Sequence, residues 1–400
     1  MSLRDDLHAG LAALERDALR RRRRSNTLPC APRAQVDGRA LLAFGSNDYL
    51  GLAAEPALAA ALAAGAQRFG TGAGASHLVT GHHAVHDELE TALARFVGTE
   101  RALYFSTGYM ANSGVLPALL GRGDAVFSDR LNHASLVDGM LLSRAAIQRY
   151  PHLDLAALDA LLERSTARRK AIVTDAVFSM DGDVAPLPAL LERAARHDAW
   201  LVVDDAHGFG VLGPQGRGTV AEAGLGAPPE AGLGAHPEAW RIVLIGTLGK
   251  AAGVAGAFVA GDATLVEWLL QKTRTYIFTT GAPPALAHAL LESLRLIEAG
   301  DGRRAHLHRL IALFRARVRL QRWRLLPSRT PIQPVVIGDN DETLAVSAAL
   351  EAAGLWVPAI RPPTVPAGSA RLRVSLSAAH HEDEVIRLAD TLSELERQSA

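Results

Sequence analysis

Two short segments carry residue types that could do covalent chemistry together. LVVDDAHG places Asp204 directly after three apolar residues and His207 three residues further on, and IVLIGTLGKAAGVAG places Lys250 in a turn of small residues. A carboxylate at the end of a buried strand needs a cationic or hydrogen-bonding partner. A lysine among glycines and alanines is kept from bulk water, which favours the neutral amine that forms imines. Taken alone, Asp204 is equally well explained as a structural cap of the next turn.

A third segment could hold an anion. TGYMANSGV (107–115) follows the apolar run ALYFS and is predicted to begin a helix, so its first N–H groups can bind a phosphate dianion. The hydroxyl of Thr247, close to Lys250 in sequence, can add to this cradle. The segment 107–115 and Thr247 together therefore predict a phosphate-binding site.

Two more polar side chains follow predicted strands. His133 in LNHASLVDG could stack on a planar ring. Ser179 in FSMDGD is expected at the end of the strand that precedes Asp204, where its hydroxyl and His207 could both reach an oxygen on that ring. An aspartate for a pyridinium nitrogen, a lysine for an imine and a phosphate cradle together predict a site for pyridoxal 5′-phosphate (PLP).

The elements that must position these residues alternate along the chain. Five apolar runs are typical of strands: ALYFS (102–106), AVFSD (125–129), AIVTDAVFS (171–179), LVVDD (201–205) and IVLIG (242–246). The segment 186–199 opens with proline and repeats apolar residues at helical spacing, which predicts a crossover helix. Parallel strands joined in this way bind ligands beyond their carboxyl ends, where the candidate residues would meet.

The rest of the chain indicates a second, smaller α+β domain. After Pro283 and Pro284 we expect a long helical stretch and then these elements: a strand at 332–337, a helix at 342–353, strands at 355–360 and 371–377, and a closing helix from 381. We predict an N-terminal helix and arm at 1–48, a large α/β domain at 49–285 and a C-terminal domain at 286–400. A tandem octad at 222–237, EAGLGAPP then EAGLGAHP, is predicted to be a surface loop.

Composition excludes several classes of function. The 400 residues hold 42 basic and 42 acidic side chains, so a surface built for nucleic acid or anionic lipid is not expected. Cys30 is the one cysteine, and the N-terminus lacks an apolar core of the signal-peptide type, which favours a cytoplasmic protein. Apolar runs are too short to span a membrane.

Six segments resemble, in the same order, the α-oxoamine synthases, a family of fold-type I PLP enzymes. They are SNDYLGL (46–52), GTGAGASHLVTG (70–81), LNHAS (131–135), FSMDGD (178–183), DDAHGFGVLGPQGRG (204–218) and TLGKAAG (247–253). The resemblance implies a mostly parallel seven-stranded sheet, a smaller α+β domain and a homodimer with shared active sites. It implies an acyltransferase that condenses an amino acid with an acyl thioester and releases carbon dioxide.

Two C-terminal segments narrow the expected substrates. IQPVVIGDN (332–340) and AIRPPTVPAGSARLRVSLSAAH (359–380) are similar to the family member that joins L-alanine to a pimeloyl thioester in biotin biosynthesis. The thioester could be carried by CoA or by acyl carrier protein. A sister enzyme that uses glycine or serine is the alternative.

The resemblance also implies roles for single residues. Lys250 would carry the covalent link to PLP, Asp204 would face the ring nitrogen, and His133 would stack on the ring and assist catalysis. The other cofactor contacts would come from Ser179 and His207 at the ring oxygen and from Gly108, Tyr109 and Thr247 at the phosphate, with Thr279 or Thr280 added by the partner subunit.

Substrate contacts are implied at five positions, one of which is His133, already assigned to the ring and to catalysis. Asn47 and Arg361 would receive carboxylates, and Arg361 suits alanine because its planar guanidinium matches a carboxylate. Arg20 matches an arginine that contacts substrate in relatives. Pro358 stands where this enzyme type often has threonine, so that side-chain hydrogen bond is absent here.

Two other features have simpler explanations. His82, His83 and His86 include the i,i+4 pair of a zinc helix, but the glutamate of the zinc motif is missing and no third ligand is evident, so no metal is predicted. The arginine run 20–24 suits a solvated helix end. A non-catalytic protein binding nucleic acid through this run is the remaining alternative, which the zero net charge disfavours.

Overall fold

The computed structural model describes residues 2–226 and 236–398. Residues 227–235, which make up most of the tandem octad, lie outside that range, so the predicted surface loop stays a prediction. Within the described residues, no helix is both long enough and apolar enough to cross a membrane.

The helices, named in chain order, are α1 Leu3–Arg16, α2 Pro56–Phe69, α3 Ala84–Val97, α4 Gly108–Leu119, α5 Ala134–Ser143, α6 Leu155–Glu163, α7 Leu187–Arg196, α8 Thr219–Glu222, α9 Ala263–Lys272, α10 Arg274–Ile277, α11 Pro284–Glu298, α12 Asp301–Arg317, α13 Asn340–Ala352 and α14 Glu382–Gln398.

The strands are β1 Arg33–Val36, β2 Arg39–Ala43, β3 Arg101–Phe105, β4 Ala125–Asp129, β5 Ala146–Tyr150, β6 Lys170–Asp175, β7 Ala199–Asp204, β8 Ile242–Thr247, β9 Ala257–Gly261, β10 Arg324–Leu325, β11 Ile332–Gly338, β12 Leu355–Trp356, β13 Ala359–Ile360 and β14 Ala370–Ser375.

The chain forms two compact units. The first comprises Met1–Tyr49, Met180–Asp183 and Ala305–Ala400, and the second comprises Leu50–Ser179 and Val184–Arg304. Helix α11 belongs to the second unit. The three-part division with boundaries after residues 48 and 285 stays a prediction.

The second unit is built on the predicted seven-stranded sheet. Its strand order is β3-β9-β8-β7-β6-β4-β5, in which β9 alone runs antiparallel to its neighbours. The mostly parallel α/β fold expected from the sequence is thus confirmed. Strands β6, β7 and β8 are almost wholly buried, which explains their unbroken apolar runs.

The predicted crossover helix lies between β6 and β7. Helix α7 buries Leu187, Leu190, Leu191 and Ala194, which recur at the spacing of one helical face. Prolines at its start fit a position where the backbone N–H has no helical partner. This helix keeps β6 and β7 parallel, so that their carboxyl ends lie side by side.

The first unit has two small sheets and the terminal helices. Strands β10-β11-β14-β13 form an antiparallel sheet, and β12 joins the hairpin β1-β2 in parallel. The expected strand at 355–360 is two short strands, because Val357 and Pro358 separate β12 from β13. Proline lacks the N–H that would continue a ladder.

Candidate active site

Five turns at the carboxyl ends of parallel strands bring the predicted PLP residues together. They line one cavity of about 210 Å³ in the second unit. Its walls include Gly108, Tyr109, His133, Ser179, Asp204, His207, Thr247 and Lys250, together with Asn112, Ser135, Asp175, Ala206, Ile245 and Gly246. Ligands of α/β proteins bind beyond the carboxyl ends of the parallel strands, and the sequence predicted the site at this position.

Lys250 lies in the turn after β8 and contacts His207 from the turn after β7. Its Nζ atom is 3.1 Å from His207 Nε2. His207 is buried and Lys250 is half-buried. An amine that opens onto a cavity while its neighbours exclude bulk water is suited to bind a carbonyl carbon.

The glycines around Lys250 have packing roles of their own. A Cβ atom on Gly246 would lie 2.3 Å from the ring of Phe258. Gly253 has φ +69° and its Cβ would lie 2.6 Å from the backbone of Leu52. Close packing within the protein therefore requires glycine at these two positions, a reason distinct from the close approach of a planar ligand that the sequence suggested.

Asp204 is the last residue of β7, and only 6% of its surface is exposed. Its Oδ1 accepts the N–H of Ala206 at 3.0 Å, and its Oδ2 accepts Asn112 Nδ2 at 2.6 Å. These donors hold the carboxylate in one orientation at the cavity wall. A fixed, buried carboxylate fits a cationic ring nitrogen.

The beginning of α4 fits a phosphate group. Thr107 caps the helix and accepts the N–H of Met110 at 3.2 Å. The N–H groups of Gly108 and Tyr109 have no acceptor among the described residues, as expected at a helix start. Thr247 Oγ1 would lie 3.7 Å from a Cβ on Gly108, so a hydroxyl stands beside these amides. The donors and the positive helix end suit a dianion.

His133 caps α5 after β4. Its N–H donates to Asp175 Oδ2 at 3.0 Å, which ties the turn to the end of β6. The ring opens onto the cavity, yet desolvation by the surrounding protein lowers its pKa, an effect that the charge of Lys250 reinforces and that of Asp204 opposes. A neutral imidazole is thereby favoured.

One expected cofactor contact lies elsewhere on the chain's elements than predicted, and another stays a prediction. Ser179 was expected at the end of a strand, but β6 ends at Asp175, and Ser179 follows in the turn, still at the cavity wall. Thr280 is exposed and is not among the residues lining this cavity in its own chain. Its role, which required a partner subunit, stays a prediction, as does that of Thr279.

Four of the five predicted substrate residues lie in the first unit, and the fifth, His133, lies in the second. Asn47 Oδ1 accepts hydrogen bonds from Tyr49 and Arg373, both at 3.1 Å. Arg20 is exposed and pairs with Glu15 at 3.0 Å. The Pro358 ring packs against Gly45, where a Cβ would approach it to 2.9 Å.

Arg361 differs from most arginines of this unit. It is half-buried, and its buried Nε has no hydrogen-bond partner among the described residues. Burial lowers its pKa, and the nearby cation Arg21 acts in the same direction. A desolvated guanidinium without a carboxylate is costly, so this residue is suited to an incoming anion.

Three polar residues of the cavity wall were not predicted as part of the site. Asn112, Ser135 and Asp175 occur within segments that were already singled out, yet nothing in their spacing indicates that they meet. Their partners are 92, 23 and 42 residues away in sequence, so the contacts depend on the sheet order.

The structure supplies the third histidine that the sequence did not. His77 joins His82 and His86, with one ring nitrogen of each within 4.8 Å of the others. His77 Nδ1 lies 2.9 Å from His82 Nδ1, and both ring nitrogens of His86 are engaged, with the N–H of His83 and the carbonyl of Ala282. These hydrogen bonds account for the cluster without an ion, and the absence of a metal stays a prediction.

We expect this histidine cluster to make the fold sensitive to acid. Burial, followed by the neighbouring histidines, lowers the pKa of His77 and of His86 from 6.5 to about 4. The unfolded chain therefore binds more protons between pH 6.5 and 4, and the free energy of unfolding falls as the pH is lowered through that window. Urea unfolding at pH 7.5 and 5 measures this loss. His86→Gln should flatten the dependence, whereas an unchanged slope would contradict it; exposed His8→Gln is the control.

Comparisons with known proteins agree with this geometry. Residues 39–392 match the model of the family "Aminotransferase class I and II". The chain is 70% identical over 395 residues, 99% of its length and 98% of the relative's, to an 8-amino-7-oxononanoate synthase of Azoarcus sp. (strain BH72).

Two solved structures share the fold over almost the whole chain. A serine palmitoyltransferase from S. paucimobilis, with bound PLP–myriocin aldimine, is 30% identical with a TM-score of 0.87, covering 98% of this chain and 97% of its own. An 8-amino-7-oxononanoate synthase from Francisella tularensis is 28% identical with a TM-score of 0.75, covering 90% of this chain and 98% of its own. The chain therefore belongs to the class I and II aminotransferase family and, within it, to the 8-amino-7-oxononanoate synthases.

Proposed function

We propose that this protein is a PLP-dependent acyltransferase that condenses L-alanine with a pimeloyl thioester in biotin biosynthesis. The products are 8-amino-7-oxononanoate, carbon dioxide and the free thiol of CoA or of acyl carrier protein. The observation that carries the proposal is identity of 57–70% over nearly the full chain to relatives of that name. The solved serine palmitoyltransferase and the solved 8-amino-7-oxononanoate synthase are about equally similar to this chain, at 30% and 28% identity, so the much higher identity of the sequence relatives is what disfavours the serine or glycine alternative.

Residues of the cavity fit PLP. The N–H groups of Gly108 and Tyr109 and the hydroxyl of Thr247 would hold its phosphate, His207 and Ser179 its ring oxygen, and Lys250 its aldehyde carbon. When bound, PLP supplies an electron sink that stabilises negative charge at the Cα atom of alanine. Asp204 would keep a proton on the ring nitrogen, without which that sink is weak.

The protein's own groups then move protons and orient bonds. The Lys250 amine, once displaced by the substrate amine, would take the proton from Cα of alanine and return one before product release. His133 would stack on the cofactor ring and donate a hydrogen bond to the oxyanion that develops on the thioester carbon. The carbon–carbon bond forms as the thiolate leaves, and the carboxylate of alanine is lost as carbon dioxide.

Besides His133, substrate contacts are proposed for four residues of the first unit. Arg361 would bind the carboxylate of alanine and fix which Cα bond stands perpendicular to the cofactor ring, which selects proton removal over early decarboxylation. Asn47 and Arg20 would contact substrate as well. Pro358 would contact substrate without the side-chain hydrogen bond that a threonine at this position could make. The half-burial of Arg361, whose buried Nε has no hydrogen-bond partner within the described ranges, supports this assignment.

The assembly is proposed to be a homodimer with shared active sites, to which Thr280 of the partner would contribute. Several large apolar side chains of the second unit are exposed in the single chain, among them Val79 at 73%, Leu141 and Leu142 at 61% and Phe278 at 70%. Such surface is what a second copy would cover. No nucleic acid or membrane partner is proposed, in keeping with the zero net charge.

Release of thiol tests the proposed substrates. The holoenzyme is supplied with pimeloyl-CoA and either L-alanine, glycine or L-serine, and free thiol is measured with a colorimetric reagent. L-Alanine should give the fastest release, with mass spectrometry detecting 8-amino-7-oxononanoate. Faster release with glycine or serine would favour the sister activity. Parallel reactions with pimeloyl-acyl carrier protein identify the preferred carrier.

Arg361→Met should weaken the use of alanine while leaving the fold intact. We expect the KM for L-alanine to rise about tenfold to a hundredfold, because a charge-assisted, bidentate contact is lost. The melting temperature should stay the same or rise, since a half-buried cation whose Nε has no partner among the residues that the structure describes is removed. Arg22→Met removes a 77% exposed arginine and is the matched control. An unchanged KM would exclude Arg361 as the carboxylate site.

A further inference from the structure

A chain of hydrogen bonds beside the cavity joins two residues of the proposed reaction. Asn112 Nδ2 lies 2.6 Å from Asp204 Oδ2 and 2.8 Å from Ser135 Oγ. Ser135 Oγ in turn lies 2.7 Å from His133 Nδ1. Asn112 comes from α4 and Ser135 from α5, so the two helices meet through this chain.

The direction of each hydrogen bond follows from the chemistry of the groups. A carboxylate only accepts, so the Asn112 atom facing Asp204 is the NH2 group. The backbone N–H of Ser135 can only donate, and it points at His133 Nδ1 over 3.3 Å. Nδ1 therefore carries a lone pair. The Ser135 hydroxyl must donate to the same nitrogen, and its oxygen accepts from Asn112.

This direction determines the tautomer of the imidazole. A neutral histidine whose Nδ1 accepts has its proton on Nε2. Burial, which lowers the pKa of His133, keeps the ring neutral, with Lys250 acting in the same sense and Asp204 and Asp138 opposing it. His133 is then a hydrogen-bond donor at Nε2 and not at Nδ1.

Burial of the Asn112 side chain costs stability because one of its polar atoms has no partner in the part of the chain that the structure describes. Asn112 is 2% exposed and Ser135 is 1% exposed. The Oδ1 atom of Asn112 is buried without a partner among the described residues. An unpaired buried carbonyl is unfavourable, so a leucine would suit the interior better if the side chain only filled space. The two N–H bonds are what the amide provides.

We propose that Asn112 and Ser135 are positioning residues that fix the Asp204 carboxylate and hold His133 as the tautomer protonated on Nε2. This chain of hydrogen bonds orients two catalytic groups at once. The NH2 group of Asn112 holds the Asp204 carboxylate, and it also holds the Ser135 hydroxyl, which in turn holds the imidazole of His133. This inference rests on the proposed function only for its effect on rate. The tautomer is a property of the protein that can be measured without turnover.

The test is nitrogen NMR of the holoenzyme with ring-labelled histidine. The protein has 15 histidines, and the His133 signals are those missing from His133→Asn. In the parent protein we expect an unprotonated Nδ1 and a protonated Nε2. In Ser135→Ala the pKa of His133 should rise, because the lost hydroxyl donated to the neutral form of the ring.

Rates supply the second readout. We expect kcat to fall about tenfold in Ser135→Ala and up to about a hundredfold in Asn112→Ala, where a bond to a charged group is lost. Ser135→Thr keeps the hydroxyl and should restore both the titration and the rate. Ser143→Ala removes another buried hydroxyl, on the last turn of the same helix, and should leave the His133 signals unchanged.

Clear outcomes would overturn the inference. A proton on Nδ1 in the parent holoenzyme would do so, as would an unshifted His133 titration in Ser135→Ala. If Asn112→Ala fails to fold, these two measurements still decide. An expected tautomer in a protein that releases no thiol from L-alanine and pimeloyl thioesters would reject the proposed function and leave this inference intact.

Discussion

Lys250→Ala is expected to abolish turnover and the covalent attachment of PLP while the fold persists. The amine is the group that would bond to the cofactor aldehyde and carry the Cα proton, and alanine offers neither nucleophile nor base. We expect a fall in kcat of about a thousandfold or more, equivalent to about 4 kcal/mol of barrier. The side chain is half-buried in the cavity wall and contacts His207, so its removal should cost little stability.

Reduction with borohydride makes this prediction sharp, because the chain has only three lysines: Lys170, Lys250 and Lys272. Reduction fixes PLP on whichever amine bears it, and peptide mapping then identifies the residue. Lys170 donates to the carbonyl of His197, and Lys272 lies over the ring of Trp268, both outside the cavity lining. Lys272→Ala is the matched control and should retain activity. Label on either other lysine, or turnover by Lys250→Ala, would contradict the assignment.

The sequence predicted those parts of the fold that are written in local pattern. Strands β4, β7 and β8 each contain an apolar run and end in a polar residue: Asp129, Asp204 and Thr247. Buried parallel strands need such runs, since both of their faces are covered. The same runs predicted the position of the candidate site, because the polar residues that follow them lie together at the carboxyl ends of the strands.

Two strands of the large sheet had no comparable signal. Strand β5 is an edge strand with mostly exposed side chains, so its sequence AIQRY lacks an apolar run. Strand β9 inserts between β3 and β8; its partners in β8 are close in sequence, but those in β3 lie more than 150 positions away. The pairing with β3 is set by long-range packing, which periodicity within a segment does not encode.

The sequence predicted that the principal residues of the candidate site would lie together, but it did not predict the residues that support them. Asp204 and Lys250 could be recognised because strand ends and small-residue turns are local features. Asn112 and His77 could not, since each gains its meaning from partners on other elements. A buried asparagine in a helix is unremarkable until the carboxylate it holds is known.

Asp204→Asn is expected to keep PLP binding but to slow removal of the alanine Cα proton about a thousandfold. An amide cannot balance the charge of a protonated ring nitrogen, so the cofactor would lose most of its power to stabilise the carbanion. Exchange of the α-proton of L-alanine in D2O, followed by proton NMR without thioester, isolates this step. Visible absorption confirms that PLP remains bound.

Asp175→Asn is the matched comparison, because Asp175 lies opposite Asp204 in the register of β6 and β7 and lines the same cavity. Burial, and then the charge of Asp204, raise the pKa of Asp175 well above its ordinary value, which favours the protonated carboxyl. An amide has the shape of that protonated carboxyl, and its oxygen can still accept the N–H of His133. We therefore expect exchange within about threefold of the parent rate. Equal losses in the two variants would mean that cavity shape, and not the charge at position 204, controls proton removal.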